Sequence, residues 1–279
     1  MSRGWAYLTM VIAVPVFAVM ICQVAMLATT VYLHRYLAHG AIELRPEVRA
    51  VARVVIWTTT ALKPRQWAGV HRYHHAAEDT PDDPHSPANF GGERRGAWHV
   101  FWHNAPLYTH ATRDPRLVGK YRDLTADRWD HWFFDHGEMG LLIGVGVACI
   151  TMAGVGRWLV GGWIGIAIGI AVGLGASGLH AASYVLAGGA INGFGHAGIV
   201  RRPNSGYATN MPVLAWLTVG EGWHRNHHLA ENSPRLGYGR QLDLGWVAIC
   251  GLHHLRLATV TTRGAAGLRR FQSLSHHSI

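Results

Sequence analysis

The chain has 279 residues, of which 49% are hydrophobic and only 15% are charged. Lys and Arg outnumber Asp and Glu by 25 to 16, which gives a formal net charge of +9 at pH 7. No nucleic-acid-binding motif accompanies this charge, and the three cysteines lie apart in apolar stretches. The composition therefore argues against a nucleic-acid-binding protein and against a disulfide framework.

Three long stretches contain no Asp, Glu, Lys or Arg: residues 4–33, 139–156 and 158–200. A helix needs about 20 mostly apolar residues to cross a bilayer. The sequence therefore predicts an all-α integral membrane protein with about three to four transmembrane helices. Buried helices of a soluble protein are the weaker alternative, because such helices usually are shorter.

The first membrane segment, residues 1–33, is too long for a signal-peptide core of about 7–15 residues. Two full spans do not fit before His34, although Pro15 could divide the segment into a short re-entrant pair. We predict one span, an external N-terminus and three crossings in all.

The rest of the chain is predicted to continue the same domain, which covers residues 1–279. Residues 34–137 form a polar cytoplasmic region, in which residues 46–62 read as an amphipathic helix lying at the interface. A spanning helix is the alternative for that piece. Residues 138–190 are predicted to form a transmembrane hairpin, residues 191–263 a helical cytoplasmic cap, and residues 264–279 a loosely ordered basic tail.

In this topology all Lys and Arg except Arg3 and Arg157 face one compartment. The positive-inside rule makes that compartment the cytoplasm, so we expect a multi-pass protein of a bacterial cell membrane. The basic C-terminal region fits contact with anionic membrane lipids, or docking of an acidic electron carrier or an anionic thioester.

Histidine is abundant, with 20 residues, and three boxes have regular spacing. HRYLAH contains His34 and His39; HRYHH and HRNHH contain three histidines each. In the latter two boxes the histidines lie at i, i+3 and i+4, on one side of a helix. The second and third boxes are His71, His74, His75 and His224, His227, His228. The predicted topology brings all eight histidines to the same side of the membrane.

Neutral imidazole binds iron, zinc, copper and nickel. Eight imidazoles exceed the four ligands of a structural zinc site and the three of a catalytic one. The boxes therefore predict two metal ions.

The three boxes, with GEGWHRNHH around the last, resemble those of the membrane-bound fatty acid desaturases, in particular the acyl-CoA Δ9 branch. WAGVHRYHH, DTPDDPHSP and NSPRLGYGRQLDLGW carry the resemblance over most of the chain. It implies two iron ions as cofactors, which zinc can replace in a purified sample, and O2 as co-substrate. It also implies a ninth ligand, His196, and Asn192 acting through water.

Metal-binding histidines usually donate their second N–H to a carboxylate or carbonyl. The candidates that surround the ligands are Glu221, Asp79, Asp82, Asp83 and His85, although Asp82 and Asp83 also fit a solvated turn. Trp67 resembles a family tryptophan near the acyl tunnel, and as a bare residue it would be an interfacial anchor. Trp223 and His180 are the other candidates for the tunnel.

The predicted function is O2-dependent insertion of a cis double bond, Δ9-like, into a saturated acyl chain carried as a thioester or in a lipid. We find no fused cytochrome b5 motif, so a separate ferredoxin, rubredoxin or cytochrome b5-type donor with its reductase is expected. A membrane di-iron hydroxylase is the first alternative. A non-catalytic metal transporter is the second, and it would place ligands at the bilayer midplane.

Overall fold

The computed structural model describes residues 3–83, 85–87, 96–198 and 205–275. The chain is 71% helical, which confirms the predicted all-α class. The α-helices are α1 Arg3–Ala28, α2 Pro46–Thr60, α3 Pro64–Ala76, α4 Ala97–Ala111, α5 Pro115–Val118, α6 Gly137–Leu159, α7 Gly162–Gly195, α8 Pro212–Leu217, α9 His224–Leu229, α10 Leu244–His254 and α11 Thr262–Ser275. Two π-helices, π1 Thr29–Ala38 and π2 Asp130–Phe134, and two strands, β1 Ile42–Leu44 and β2 Ala258–Val260, complete the described elements.

Three helical segments are long and apolar enough to cross a membrane: Gly4–Ala38, Gly137–Leu159 and Gly162–Gly195. Their most apolar windows are mostly exposed, as expected of surfaces that contact lipid. The chain is therefore a membrane protein with three candidate spans, and the first of them, Gly4–Ala38, includes His34 of the first histidine box. Pro15 lies inside α1 without ending it.

The chain divides into two compact units. The first unit consists of Met1–Ala25, Val54–Lys63 and Asp127–Tyr184, and its core contains Met10, Met152 and Val172. Within it, α6 and α7 form the predicted hairpin, with a turn at Gly161, whose φ is +85°. The two helices approach closely at Gly156, where a Cβ would collide with the backbone of Gly165. The absence of a side chain at Gly156 permits this approach.

The second unit consists of Met26–Arg53, Pro64–Ala126 and Val185–Ile279. Its short strands pair antiparallel, with Ile42 opposite Val260. A cluster around Val70 and Leu117 packs α3 against α5. This unit contains all the histidines of the three boxes.

Two arginines connect the segment π1 to the rest of the second unit. Arg35 is 1% exposed, and its Nη2 donates to Asp243 at 2.8 Å. Arg72 on α3 donates from Nε to the carbonyl oxygen of Ala38 at 2.8 Å and from Nη2 to that of Leu37 at 2.9 Å. These carbonyls end π1, so Arg72 satisfies acceptors that a helix C-terminus leaves unpaired.

The structure changes several predicted boundaries. The membrane segment assigned to residues 1–33 continues as π1 to Ala38, and the hairpin assigned to residues 138–190 continues to Gly195. The predicted interfacial helix forms but ends at Thr60; its position at the interface stays a prediction. The prediction of a loosely ordered tail from Gly264 was wrong for the described residues, because Thr262–Ser275 forms α11. Phe271 of α11 is buried and contacts Tyr238 edge to face at 5.6 Å.

Candidate metal centre

The first box lies on a π-helix. The backbone N–H of His39 donates to the carbonyl oxygen of His34 at 3.1 Å, an i→i+5 bond. On an α-helix, residues five apart would point about 140° away from each other. The wider π-helical turn brings them to one side, and their rings lie 4.9 Å apart.

The two HxxHH boxes lie on helices α3 and α9, as their spacing predicts. Each box divides its histidines between two groups. From α3, His71 belongs to one group and His74 to the other; from α9, His227 belongs to the first and His224 to the second. Histidines that lie on one side of a helix therefore belong to different groups here.

The two groups contain eight of the nine predicted histidine ligands. Within each group the candidate ligand atoms lie within 4.8 Å of one another. The first group is His34, His39, His71 and His227, and the second group is His74, His196, His224 and His228. The ninth, His75, places its Nε2 2.8 Å from that of His227 and 3.2 Å from that of His71. His75 is thus closest to the first group.

His196 joins the second group from the end of α7. Its Nε2 lies 2.8 Å from that of His224, and its side chain is fully buried. The residue follows Gly195, whose carbonyl oxygen accepts from the backbone N–H of Thr209 at 2.7 Å. This bond secures the chain where the helix ends.

Within each group, Nε2 atoms of different histidines lie at hydrogen-bond distance from one another. In the second group, Nε2 of His228 lies 3.1 Å from that of His224 and 3.4 Å from that of His74. When the Nδ1 of an imidazole donates to a carboxylate, its Nε2 carries a lone pair. Lone pairs that converge in this way repel each other unless a cation lies between them. A metal with ligand bonds of about 2.1 Å separates adjacent ligands by about 3 to 4 Å, so the side chains fit metal ions.

Carboxylates hold the Nδ1 atoms of several of these histidines. Glu221 lies 2.8 Å from Nδ1 of His34, and Asp83 lies 2.9 Å from Nδ1 of His74. Asp79 lies 3.2 Å from Nδ1 of His196. Three of the five predicted supporting residues therefore contact a histidine of one of the groups.

Two supporting carboxylates were missed by the sequence analysis. Glu78 lies 3.0 Å from Nδ1 of His228, and Glu231 lies 3.5 Å from Nδ1 of His75. Both follow a histidine box by three residues, at a position comparable to the acidic residues that were considered. Their proximity to a box was the available signal.

Asp82 takes a different position from the one predicted. Its carboxylate is 61% exposed and accepts from Nη1 of Arg116 at 2.9 Å. The neighbouring Asp83 is buried and accepts from the backbone N–H of Asp79 at 2.9 Å and from that of His85 at 3.0 Å. The loop that turns Asp83 inward turns Asp82 toward solvent.

Burial sets the protonation of the imidazoles. It lowers the pKa of His71, His224, His227 and His228 well below the ordinary value, and neighbouring histidines lower it further. These side chains are therefore neutral at pH 7, as metal ligands must be. Burial also opposes ionisation of Glu221, but the adjoining His34 and Arg35 keep its pKa low.

His74 differs because its acidic partner is fully buried. Burial lowers the pKa of His74, but the charge and hydrogen bond of Asp83 outweigh this effect and raise it. The favoured proton is the one on Nδ1, which leaves Nε2 free to bind a metal.

Asn192 and His85 contact each other near the second group. Nδ2 of Asn192 lies 3.2 Å from Nδ1 of His85 and donates to Oδ1 of Asn104 at 2.9 Å. His85 is buried, with its ring 5.9 Å from that of His74. Burial lowers its pKa to about 4, so the ring is neutral and its Nδ1 accepts the amide hydrogen.

The three predicted tunnel residues occupy separate environments. Trp67 stacks on His71 with ring centres 5.1 Å apart and planes at 8°. Trp223 is buried and donates from its indole N–H to the carbonyl oxygen of Leu242 at 2.8 Å. His180, in the first unit, is buried and its Nε2 donates to the carbonyl oxygen of Thr59 at 2.8 Å. Their role in a tunnel stays a prediction.

Comparison with known proteins identifies the family that these side chains belong to. The family model for fatty acid desaturases matches residues 9–243. This chain belongs to the fatty acid desaturase family. The match includes all three boxes, His196 and Asp243, so the resemblance seen in the sequence is confirmed.

Curated relatives of this desaturase act on different carriers. The hex-5-enoyl-[acyl-carrier protein] acetylenase of Moorena producens is 30% identical over 84% of this chain and 72% of its own length. The acyl-CoA C20 Delta5-desaturase of Anemone leveillei is 32% identical over 83% of this chain and 68% of its own. The sn-1 stearoyl-lipid 9-desaturase of Synechocystis is 32% identical over 69% of this chain and 54% of its own.

The protein is accordingly an oxidoreductase of the desaturase class that acts on fatty acyl chains, with a histidine-rich metal site. This finding does not support the alternative of a non-catalytic metal transporter. In the described residues, the candidate ligands also cluster in the second unit rather than along the middle of a span.

Proposed function

We propose that this desaturase uses two iron ions and O2 to introduce a cis double bond into a saturated fatty acyl chain. The observation that carries the proposal is the convergence of Nε2 atoms in two adjacent groups, in a chain of the fatty acid desaturase family. Imidazole nitrogen is a suitable ligand for iron as well as zinc, so zinc can take its place in a purified sample.

The first group, with His75, would hold one ion and the second group the other. Asn192 would contribute to the second site through a water molecule. Both amide hydrogens of Asn192 have acceptors, on His85 and Asn104, which leaves its Oδ1 to accept from such a water. The convergence of Nε2 atoms and the burial of the rings support this assignment.

The overall reaction balances with one acyl chain, O2, two electrons and two protons. The chain loses one hydrogen from each of two adjacent methylene carbons and gains a C=C bond, and O2 is reduced to two molecules of water. The irons would supply O2 activation and the oxidising power for an unactivated C–H bond.

The side chains around the histidine ligands orient the imidazole rings and shield them from water. Glu221 and Asp83 accept the Nδ1 proton of His34 and of His74, which directs the Nε2 lone pair toward the metal, and Asp79 lies 3.2 Å from Nδ1 of His196. The stacked ring of Trp67 restricts the rotation of His71. Trp67, Trp223 and His180 are the proposed contacts with the acyl tunnel.

The acyl chain would arrive as a thioester or as part of a lipid, with Δ9 as the proposed position. Among the relatives, Delta-9 desaturase-like 1 protein of Arabidopsis thaliana is 29% identical over 87% of this chain. Electrons would come from a separate ferredoxin, rubredoxin or cytochrome b5-type protein with its reductase. Since the basic residues face one side in the proposed topology, the metal centre would lie on the cytoplasmic side of a bacterial membrane, in contact with its lipids.

Fatty acid analysis of cells that express the protein tests this function. Gas chromatography with mass spectrometry should detect a new cis-unsaturated acyl chain with the wild type and none with His227→Ala. A hydroxylated product without an alkene would favour the hydroxylase alternative. No new acyl product, from a wild-type protein that carries iron, would contradict the proposal.

A further inference from the structure

The two histidine groups differ in the negative charge that surrounds them. In the second group, three of the four imidazoles contact a carboxylate through Nδ1. The distances are 2.9 Å for Asp83 to His74, 3.2 Å for Asp79 to His196 and 3.0 Å for Glu78 to His228.

The first group contacts less buried negative charge among the described residues. Its one close carboxylate contact is that of Glu221 with His34 at 2.8 Å. The adjacent His75 contacts Glu231 at a longer distance of 3.5 Å, and that carboxylate is 44% exposed. Solvent screens an exposed charge, so Glu231 contributes less than a buried carboxylate would.

An arginine side chain also lies close to the first group. Arg72 donates to the carbonyl oxygens of Leu37 and Ala38, directly before His39. A guanidinium at this place disfavours additional positive charge close to the first group.

We infer that the two metal sites are unequal, and that the second group binds its ion more tightly and releases it last. A carboxylate close to Nδ1 adds an attractive charge near a divalent cation, and one that accepts the Nδ1 proton, as Asp83 does from His74, also makes the imidazole a stronger donor. Three carboxylates lie within 3.2 Å of an Nδ1 atom in the second group, against one in the first. One such contact commonly changes metal affinity by about 10- to 100-fold, so the two sites should differ by at least about tenfold.

This inference rests on the proposed two-metal centre, and zinc titration separates the two claims without using activity. Purified protein loaded with Zn²⁺ is equilibrated with a chelator of known affinity, and retained zinc is measured. The wild type should hold two zinc ions per chain and release them in two steps, with midpoints at least about tenfold apart.

Two conservative variants assign the steps to the groups. Asp79→Asn should weaken the later step by about 10- to 100-fold and leave the earlier one in place. Glu221→Gln should weaken the earlier step only. Glu78→Gln is a second variant of the later step, should Asp79→Asn not yield monodisperse protein.

Each outcome bears on one claim. Fewer than two zinc ions in folded wild-type protein would contradict the two-metal proposal itself. Two ions released at one midpoint would contradict the inference alone. A later step that moves in Glu221→Gln and not in Asp79→Asn would reverse the assignment and also overturn it. The wild-type titration decides the inequality without any variant.

Discussion

The backbone N–H of His39 donates to the carbonyl oxygen of His34 at 3.1 Å, and this bond spans five residues. The same five-residue step separates the two side chains of the first box. Because π1 makes this wide turn, both imidazoles reach the first group, next to His71 and His227. The π-helix is therefore part of the candidate site, at the C-terminal end of the candidate span Gly4–Ala38.

Removal of one first-group imidazole should remove one metal ion and leave the other. We expect His39→Ala to retain about one iron per chain, where the wild type retains two, and to lose desaturation by at least about 100-fold. Iron is measured by inductively coupled plasma mass spectrometry on monodisperse protein. His99→Ala, on α4 and outside both groups, is the control that should keep both ions. Two retained irons in His39→Ala would exclude His39 as a ligand.

Two adjacent aspartates form a matched pair for the role of the supporting carboxylates. Asp83→Asn should weaken iron binding by about 10- to 100-fold, because it removes the charge that holds Nδ1 of His74. Asp82→Asn should have no effect on iron, since Asp82 is exposed and pairs with Arg116. The measurement is iron retention during dialysis against a weak chelator. If both variants lost the same amount of iron, the negative charge of the loop, and not the hydrogen bond to His74, would determine iron binding.

Features of this site that are set by neighbouring residues could be predicted from the sequence. Features that are set by the packing of distant segments could not. The three spans and the two HxxHH helices follow from local runs and spacings. The division of each box between two groups does not, because it depends on how π1, α3, α7 and α9 come together. The π-helix was also missed, since the HxxxxH spacing alone does not distinguish a helical turn from a chain that leaves the helix.

The C-terminal helix shows a second limit of sequence reasoning. Glycine inside a helix costs about 1 kcal/mol relative to alanine, and α11 contains Gly264 and Gly267. The sequence analysis predicted a loosely ordered basic tail from Gly264. In the structure they permit close packing, because a Cβ at Gly264 would collide with the carbonyl group of Ala41, and one at Gly267 with the backbone of Asn232. Tertiary packing outweighs the local preference.

The buried ion pair between Arg35 and Asp243 should contribute strongly to stability. Their side chains are 1% and 2% exposed, and Asp243 also accepts from the backbone N–H of Leu236 and of Trp246. Arg35→Met leaves this carboxylate without its charged partner, so we expect a loss of about 3–5 kcal/mol in the free energy of unfolding.

Thermal unfolding in detergent, followed by circular dichroism, measures the effect of Arg35→Met as a lower midpoint. Arg116→Met removes an exposed arginine that pairs with Asp114, and it should change the midpoint little. A midpoint in Arg35→Met equal to that of the wild type would show that the pair can be dispensed with.

The hairpin in the first unit depends on small residues at one helix crossing. Gly156→Val should destabilise the protein by about 1–3 kcal/mol, because the added side chain would meet the backbone of Gly165. Gly154→Val is the matched control two residues earlier in α6, where a Cβ would meet nothing within 4 Å. Size-exclusion chromatography and thermal unfolding compare the two. Equal behaviour of both variants would contradict the close crossing.

The count of iron ions in active protein tests the central claim most directly. Protein reconstituted with ⁵⁷Fe(II) is separated from free metal, and its iron is measured by mass spectrometry alongside Mössbauer spectroscopy. We expect about two irons per chain with nitrogen-rich coordination in the wild type, one group per ion. A folded protein that forms unsaturated product with one iron per chain or none would contradict it.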